Sequence, residues 1–255
     1  MNFSRRFLKA ANSLVTLVVV VFLVAAGAYS IYALWDNAQV YAAVDDVQSE
    51  LLKLKPVVEE DGGASFEELR AINPDVCAWL TLDNTEIDYP VLQGKDNLTY
   101  INTDVYGNFA LAGSIFLDSH CDNTFHDQYS HIYGHHMANS KMFGDLDLYE
   151  DQQFFEENRK GTLILPDRFY NLKILACLRV SASEDAIFSP EQWEEDTGGL
   201  LEYVSANAMY IHEDMMEEIG SREDNPQILA MTTCSSEFTD ARTVLLAIME
   251  PNTTT

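Results

Sequence analysis

Cys234 stands where a cysteine side chain can act as a nucleophile. It follows the apolar residues 228–233, which predict a β-strand, so it comes where that strand passes into a loop. Arg242 lies eight residues downstream, at the head of a second apolar run. A short loop between the two runs would make the strands antiparallel neighbours, with Cys234 and Arg242 facing each other. On these residues alone, an ordinary strand-end cysteine and a surface arginine remain open alternatives.

A cysteine nucleophile needs a proton donor for its leaving group, and histidine supplies this most often. Five of the six histidines lie within residues 120–136. Residues 130–137 read as a strand, a glycine turn at Gly134 and a histidine leaving the strand, which makes His135 a candidate general acid or base. A solvated loop histidine is the alternative. The acids near His131 could suggest a metal, but no H-E-x-x-H or comparable spacing occurs, so we expect no metal ion.

The other three cysteines, Cys77, Cys121 and Cys177, lack this reactive profile. Cys77 and Cys177 lie in apolar runs, where a free cysteine behaves as a small buried side chain. The cysteines form no C-x-x-C pair, which excludes zinc-knuckle and thioredoxin-like motifs. We therefore expect no structural disulfide, although an even number of cysteines outside the cytoplasm would allow two.

The N-terminal segment predicts a membrane anchor. Arg5, Arg6 and Lys9 precede the uncharged residues 10–35, a stretch longer than the ~20 apolar residues that cross a bilayer as a helix. Positive charge before this stretch and acids after it predict an N-terminus in the cytoplasm and a domain outside. A cleaved signal peptide, with small residues at 26–28 as its cleavage site, is the alternative.

Beyond the anchor, an apolar stripe predicts a helical stalk that Pro56 ends. The stripe could form a dimerising coil, but it is short, and packing onto the domain is the favoured use. It consists of Val40, Val44, Val47, Leu51 and Leu54. The resulting boundaries are a cytoplasmic segment (1–9), a transmembrane signal anchor (10–35), a stalk and linker (36–63), a catalytic domain (64–251) and a tail (252–255).

The exported domain reads as mostly β, a barrel or a sandwich. Residues 170–181 alternate apolar and polar side chains and predict the longest strand. Ser65 and Glu68 predict a capping box for a short helix, and two further helices are expected at 141–158 and, after Ser189 and Pro190, at 189–209. The candidate strands are 78–82, 87–92, 113–117, 130–133, 162–165, 170–181, 227–233 and 242–249.

The formal net charge of −26 argues against nucleic acid as a partner. A polyanion would meet a repulsive field unless basic residues were concentrated on one face. The sequence shows such a concentration only at the extreme N-terminus.

Several motifs together resemble the catalytic signature of sortases. They are Tyr133-Gly134-His135, Met142-Phe143-Gly144, Thr233-Cys234 and Arg242. Residues 72–80, 88–93 and 113–118 are similar to segments of class B sortases in the same order, so the resemblance spans about Phe66 to Met249. Two departures are visible. Ala230 and Met231 replace the usual Thr-Leu before the final Thr-Cys, and His136 directly follows the matched histidine, which leaves a one-residue shift open.

The resemblance implies an eight-stranded sortase-type β-barrel with N-terminal helices and an extra helix between strands six and seven. It also implies that Cys234, His135 and Arg242 are catalytic and that no cofactor is needed. The expected substrate-binding residues are those around the cysteine, namely Thr232, Thr233, Ser235 and Glu237. The acids form no EF-hand-like loop, so no calcium requirement is expected.

The implied activity is transpeptidation at a Gram-positive-type cell surface. The enzyme would cleave a surface protein at an Asn-Pro-x-Thr-like C-terminal sorting signal and join it to a peptidoglycan amine through a thioacyl-enzyme. A single-pass membrane anchor would place the catalytic domain outside the cell. Two alternatives stay open: a sortase that polymerises pilins, and a catalytically silent anchored domain that only binds peptide or wall polymer.

Overall fold

The computed structural model describes residues 2–58, 64–222, 225–234 and 241–252, apart from the side chains of residues 2–4 and 234. The chain divides into two compact units, Met1–Asp46 and Val47–Thr255. The first unit is helical, and the second contains the β-sheet and the remaining helices.

Helix α1 (Asn2–Leu51) is one continuous element that includes both the expected anchor and most of the expected stalk. Within the described residues, this helix is long and apolar enough to cross a membrane, a test that a signal sequence also passes. A turn of 3-10 helix (Leu52–Leu54) follows, and Pro56 prevents further helix because it lacks an amide hydrogen.

The C-terminal end of the apolar stripe packs onto the β-domain. Leu51 is 4% exposed and belongs to a buried cluster with Phe66, Leu69 and Trp79, against which Val47 and Leu54 pack. This packing confirms the favoured use of the stripe at these three positions.

Eight strands close into a barrel. The ring order is β10-β9-β4-β3-β2-β1-β6-β7, and β7 pairs with β10 to complete it. The two-residue strands β5 and β8 lie outside the ring. The strands are β1 (Val76–Leu82), β2 (Asp88–Leu92), β3 (Phe116–Leu117), β4 (Tyr129–Met137), β5 (Lys141–Met142), β6 (Lys160–Ile164), β7 (Phe169–Ser181), β8 (Tyr210–Ile211), β9 (Ile228–Cys234) and β10 (Ala241–Pro251).

Each of the eight strands expected from the sequence overlaps one strand of this ring, so the barrel is confirmed and the sandwich is wrong. One strand differs in a way that matters for the site. Gly134 is not a turn: β4 runs through it to Met137. The longest strand is β7, as its alternating pattern predicts.

The α-helices of the second unit are short. In chain order, β7 and β9 are the sixth and seventh of the eight barrel strands. The inserted segment between them contains three of these helices and β8, which confirms the extra helical structure expected there. Their apolar side chains cover a buried cluster formed by Ala230, Val244 and Leu246 of the sheet. The helices are α2 (Glu67–Ile72), α3 (Gln152–Glu157), α4 (Asp185–Phe188), α5 (Gly198–Asn207) and α6 (Glu213–Gly220).

Two of the expected helices are wrong in extent. Residues 141–158 form β5, a 3-10 helix (Gly144–Glu150) and α3, because Met142 has a positive φ of 53° that no α-helix accommodates. Residues 189–209 form a 3-10 helix (Pro190–Trp193), with Pro190 in its first turn as expected, and then α5. Residues 194–197 separate the two helices, and Asp196 in this stretch accepts a hydrogen bond from the amide of Gly198, the first residue of α5.

The expected capping box is also wrong. Helix α2 begins after Phe66, one residue later than Ser65 would require, and the side chain of Phe66 has no acceptor for a helix amide. Phe66 is 3% exposed in the same cluster as Leu51, so packing holds the residue that precedes this helix.

Candidate active site

Three neighbouring strands align the three candidate catalytic positions. Strands β4 and β9 are parallel, and His135 pairs directly with Cys234. Strands β9 and β10 are antiparallel, with Val244 opposite Thr232, and continuing this register by two residues places Arg242 opposite Cys234. Positions 135, 234 and 242 thus form one row, and positions in lateral register share a face of a pleated sheet. We call this the catalytic row.

The antiparallel pairing of β9 and β10 confirms the arrangement expected from the short loop between them. The loop itself, residues 235–240, lies outside the described residues together with the predicted substrate-binding residues Ser235 and Glu237. Arg242 is partly exposed and pairs on its other side with Val180 of β7.

The backbone of His135 is fixed by the motif that follows it. The amide of Phe143 donates to the carbonyl oxygen of His135 at 3.0 Å, and Phe143 is completely buried. A tight connection returns the chain from β4 to β5, where His136 pairs with Met142. The Met142-Phe143-Gly144 segment therefore holds the end of β4 in place.

Gly134 lets β4 pass close to two buried side chains. A Cβ at this position would lie 2.4 Å from Cδ1 of Ile115 and 2.6 Å from the ring of Phe143. Only glycine leaves room for both, so the glycine of the Tyr-Gly-His motif is required by packing beside the histidine.

Burial is the main reason that the pKa of His135 lies below its ordinary value, and the neighbouring charge of His136 lowers it further. The imidazole is therefore predominantly neutral at pH 7, so it can accept a proton. A neutral imidazole can take the proton from a thiol or an amine as that group reacts.

A polar network lies further along the same face of β4 and β9, where Tyr133 pairs with Thr232 and His131 pairs with Ala230. Nε2 of His131 is 2.7 Å from Oγ1 of Thr232, and His131 is completely buried, which lowers its pKa to about 4. The ring of His131 lies 4.2 Å from that of Tyr133, whose hydroxyl donates to Asp118 at 2.9 Å. Phe188 of α4 stacks on Tyr133 with ring centroids 6.5 Å apart, so the inserted segment also contacts this face.

Asp118 is an ionised carboxylate at the end of this network. Burial opposes its ionisation, but hydrogen bonds from His120, Tyr133 and Asn97 hold its pKa below the ordinary value. The carboxylate is 1% exposed in its side chain, so its charge depends on these donors.

Two predicted substrate-binding residues lie in the described part of β9. Thr232 is 1% exposed and its hydroxyl is engaged by His131, and Thr233 is 3% exposed. The alternation of β4 is a sequence signal for this shared face. His131, Tyr133 and His135 occupy alternate positions of one strand and therefore one face.

The other three thiols lack the features of a nucleophile. Cys77, Cys121 and Cys177 are free and buried, as the apolar runs around Cys77 and Cys177 predict. Burial raises the pKa of Cys77 and of Cys177 to about 12 and raises that of Cys121 further. Among the described residues, no three histidine, cysteine or acidic side chains are grouped so that they could hold a metal ion.

The chain is similar to known sortases from three organisms. No protein-family model matches the chain. It is 25% identical to sortase B of Staphylococcus aureus over 236 residues, which are 92% of this chain and 93% of that protein. It is 38% identical to sortase B of Listeria monocytogenes over 123 residues, 48% of this chain and 50% of that protein. The crystal structure of a Streptococcus pyogenes class B sortase involved in pilus biogenesis matches with a TM-score of 0.65 and 34% identity, covering 73% of this chain and 98% of that one.

The closed eight-stranded barrel matches the fold of solved sortase structures. The chain belongs to the class B sortases, as its motifs predict. Sortases of this kind are cysteine transpeptidases, and that is the class of enzyme to which this protein belongs.

Proposed function

We propose that this enzyme cleaves a C-terminal sorting signal after threonine and transfers the new acyl end to an amine of cell-wall peptidoglycan. Cys234, His135 and Arg242 are the catalytic residues of this proposal. The observation that supports it most strongly is the catalytic row, in which the strand register aligns residues separated by about a hundred positions in sequence.

In the first half of the reaction, the sulfur of Cys234 attacks the threonine carbonyl carbon and forms a C–S bond. The thiol proton passes to His135, which returns it to the amine nitrogen as the C–N bond breaks. The guanidinium of Arg242 donates hydrogen bonds to the carbonyl oxygen as negative charge develops on it, a task suited to a fixed cation with several donors. The thioester that remains holds the surface protein.

In the second half, an incoming amine attacks the thioester carbonyl, and a new C–N bond replaces the C–S bond. His135 accepts the proton that the amine loses and passes it to the sulfur as the C–S bond breaks, which regenerates the thiol of Cys234. The depressed pKa of His135 supports this role, because the imidazole must be neutral to accept that proton. Capture by an amine instead of water makes the reaction a ligation.

The proposed activity requires a catalytic domain outside the cell that is anchored in the membrane. Residues 10–35 lie within α1 and would span ~39 Å at 1.5 Å per residue, more than a hydrocarbon core of ~30 Å. Arg5, Arg6 and Lys9 favour a cytoplasmic N-terminus, with the catalytic domain (64–251) on the outer surface. The intact mass of the protein recovered from membranes tests this, because a cleaved leader would remove residues 1 to about 28.

The test of activity uses the full chain in detergent micelles, a fluorogenic peptide containing Asn-Pro-Ala-Thr, and triglycine as the amine. We expect cleavage after threonine, a peptide–triglycine product and a thioester adduct on Cys234 detectable by intact mass. Cys234→Ala should abolish the adduct and the product. Arg242→Lys keeps the charge but loses the planar fork, and should lower kcat more than it raises KM.

The same test separates the alternatives. A parent protein that binds the peptide but forms no adduct would favour a silent binding domain. Cleavage retained in both Cys234→Ala and His135→Ala would show that the site is assigned to the wrong residues. Thr232, Thr233, Ser235 and Glu237 are the substrate-binding residues of this proposal. Cleavage of peptides without threonine at that position would contradict the proposed specificity.

Pilin polymerisation is a second candidate, because the Streptococcus pyogenes relative of 34% identity is a class B sortase involved in pilus biogenesis. In that case the incoming amine would be a lysine side chain of another protein subunit. A competition between triglycine and a lysine-containing pilin peptide decides between the two. Preferred formation of the lysine isopeptide would favour pilus assembly.

A further inference from the structure

A pair of carboxylates connects the two outer strands of the catalytic row. His136, the residue after His135 on β4, places Nε2 2.7 Å from Oδ2 of Asp147. Thr243, the residue after Arg242 on β10, places Oγ1 2.9 Å from Oε1 of Glu150 and 3.3 Å from Oδ1 of Asp147. Successive residues of a strand point to opposite faces, so these contacts lie on the face away from His135 and Arg242.

Both carboxylates lie on the 3-10 helix Gly144–Glu150, whose position is fixed against the end of β4. A Cβ on Gly144 would lie only 2.0 Å from the carbonyl oxygen of Met137, so this helix begins in close contact with the last residue of the strand. Leu146 and Tyr149 of the same helix are completely buried. The carboxylates are therefore carried by a rigid element.

We propose that Asp147, assisted by Glu150, is a positioning residue that fixes the end of β4 relative to the start of β10. We call these two carboxylates with His136 and Thr243 the clamp. The inference rests on the proposed transpeptidase function, because the clamp acts by holding His135 and Arg242 at their working separation across β9. Asp147 and Glu150 do not touch the substrate in this proposal.

Each carboxylate of the clamp has a second partner besides Thr243. Asp147 faces His136, and Glu150 faces Arg179 of β7 at 3.5 Å. The hydrogen bond from His136 is the largest cause that lowers the pKa of Asp147, so this carboxylate is ionised at neutral pH. The Thr243 hydroxyl has one proton, so it donates to one carboxylate at a time; Asp147 also has His136 as a partner, and Glu150 also has Arg179.

Backbone hydrogen bonds between β4 and β9, and between β9 and β10, already set the approximate spacing of these three strands. The clamp is needed because both catalytic side chains lie near the ends of their strands, and β4 and β10 are not paired with each other. A displacement of about 1 Å between reacting groups can cost ~100-fold in rate. A connection between the two outer strands at this end therefore affects turnover more than substrate binding.

The test measures kcat and KM of the full chain in detergent micelles with the Asn-Pro-Ala-Thr peptide and triglycine. We expect Asp147→Ala to lower kcat about tenfold with KM changed less than twofold. Thr243→Val removes the hydroxyl at constant size and should lower kcat, whereas Thr243→Ser keeps the hydroxyl and should retain it. Asp214→Asn, which breaks an exposed ion pair with Arg159 outside the clamp, is the matched control and should behave like the parent.

A double substitution tests whether the residues act together. If Asp147 acts through His136, then Asp147→Ala combined with His136→Gln should lower kcat about as much as the stronger single change. Fully multiplicative losses would overturn the clamp. So would a kcat within twofold of the parent for Asp147→Ala, or equal losses for Thr243→Val and Thr243→Ser.

A parent protein without any cleavage would contradict the proposed function, and the clamp is then judged by a separate measurement. Amide hydrogen exchange at residues 134–137 and 241–244 should be faster in Asp147→Ala than in the parent and unchanged in Asp214→Asn. Unchanged exchange at both strand ends in Asp147→Ala would overturn the clamp whatever the activity.

Discussion

Thr232 and His131 form a buried polar contact between β9 and β4, with 2.7 Å between Oγ1 and Nε2. Both side chains are at most 1% exposed, and the pair lies on the same two strands as Cys234 and His135, toward the interior of the domain. The catalytic row is thus supported by a polar contact behind it and, in our proposal, by the clamp on the opposite face.

The first prediction concerns this contact. Thr232→Val keeps the volume of the side chain but leaves the buried imidazole of His131 without its partner. We expect a loss of about 2 kcal/mol in the free energy of unfolding, since an unsatisfied buried polar group costs ~1–3 kcal/mol. Urea unfolding of the full chain in detergent, followed by tryptophan fluorescence, measures it. Thr162→Val on β6 is the control, and equal stability of the two variants would contradict the prediction.

The second prediction concerns the pH dependence of stability. Burial lowers the pKa of His131 from 6.5 to about 4, so the unfolded chain binds a proton that the folded chain excludes between these values. Stability from this group is therefore complete above pH ~6.5 and falls as the pH drops toward 4. The nearby carboxylate of Asp118 opposes the shift, and the stated pKa already includes its effect.

The loss attributable to His131 should be about 2 kcal/mol on going from pH 7.5 to pH 5. The measurement compares the parent with His131→Gln, which cannot titrate, by urea unfolding at both pH values. The parent should lose more stability than the variant over this interval. An identical pH dependence of the two proteins would show that His131 does not titrate as inferred.

The strands could be predicted from the sequence because their apolar patterns are local. Residues 170–181 alternate over their whole length, and β7 follows that pattern. The turn expected at Gly134 is wrong because the reason for glycine there is packing against Ile115 and Phe143, which no local pattern shows. The contact of His131 with Thr232 joins residues 101 positions apart, and the strand pairing that brings them together is equally invisible in the sequence.

The third prediction separates the two adjacent histidines. If His135 is the acid and base, His135→Gln should lower kcat/KM about 1000-fold, within the range of general acid–base catalysis. His136→Gln should lower it only about tenfold, because it loosens the clamp without removing the proton carrier. Steady-state kinetics with the sorting peptide measure both. The reverse order of losses would assign the catalytic role to His136.

The fourth prediction concerns Gly134. Gly134→Ala would place a Cβ 2.4 Å from Cδ1 of Ile115, so the strand must shift beside His135. We expect a loss of ~1–3 kcal/mol in the free energy of unfolding, as for other overpacked cores, and a lower kcat. Adding Ile115→Val removes the Cδ1 atom and should restore part of both. If the double variant is no better than Gly134→Ala, contact with Ile115 is not the cause.

The fifth prediction concerns thiol reactivity. Burial raises the pKa of Cys77 and Cys177 to about 12, and Cys121 is buried as well, so these three thiols should resist alkylation in the folded protein. With iodoacetamide at pH 7.5, we expect one adduct per folded chain, located at Cys234 by peptide mass mapping. Cys234→Ala should give no adduct when folded and three adducts when denatured, which is its internal control.

Adducts on Cys77, Cys121 or Cys177 in the folded parent would contradict their burial. A parent without any adduct would remove the support for Cys234 as the nucleophile.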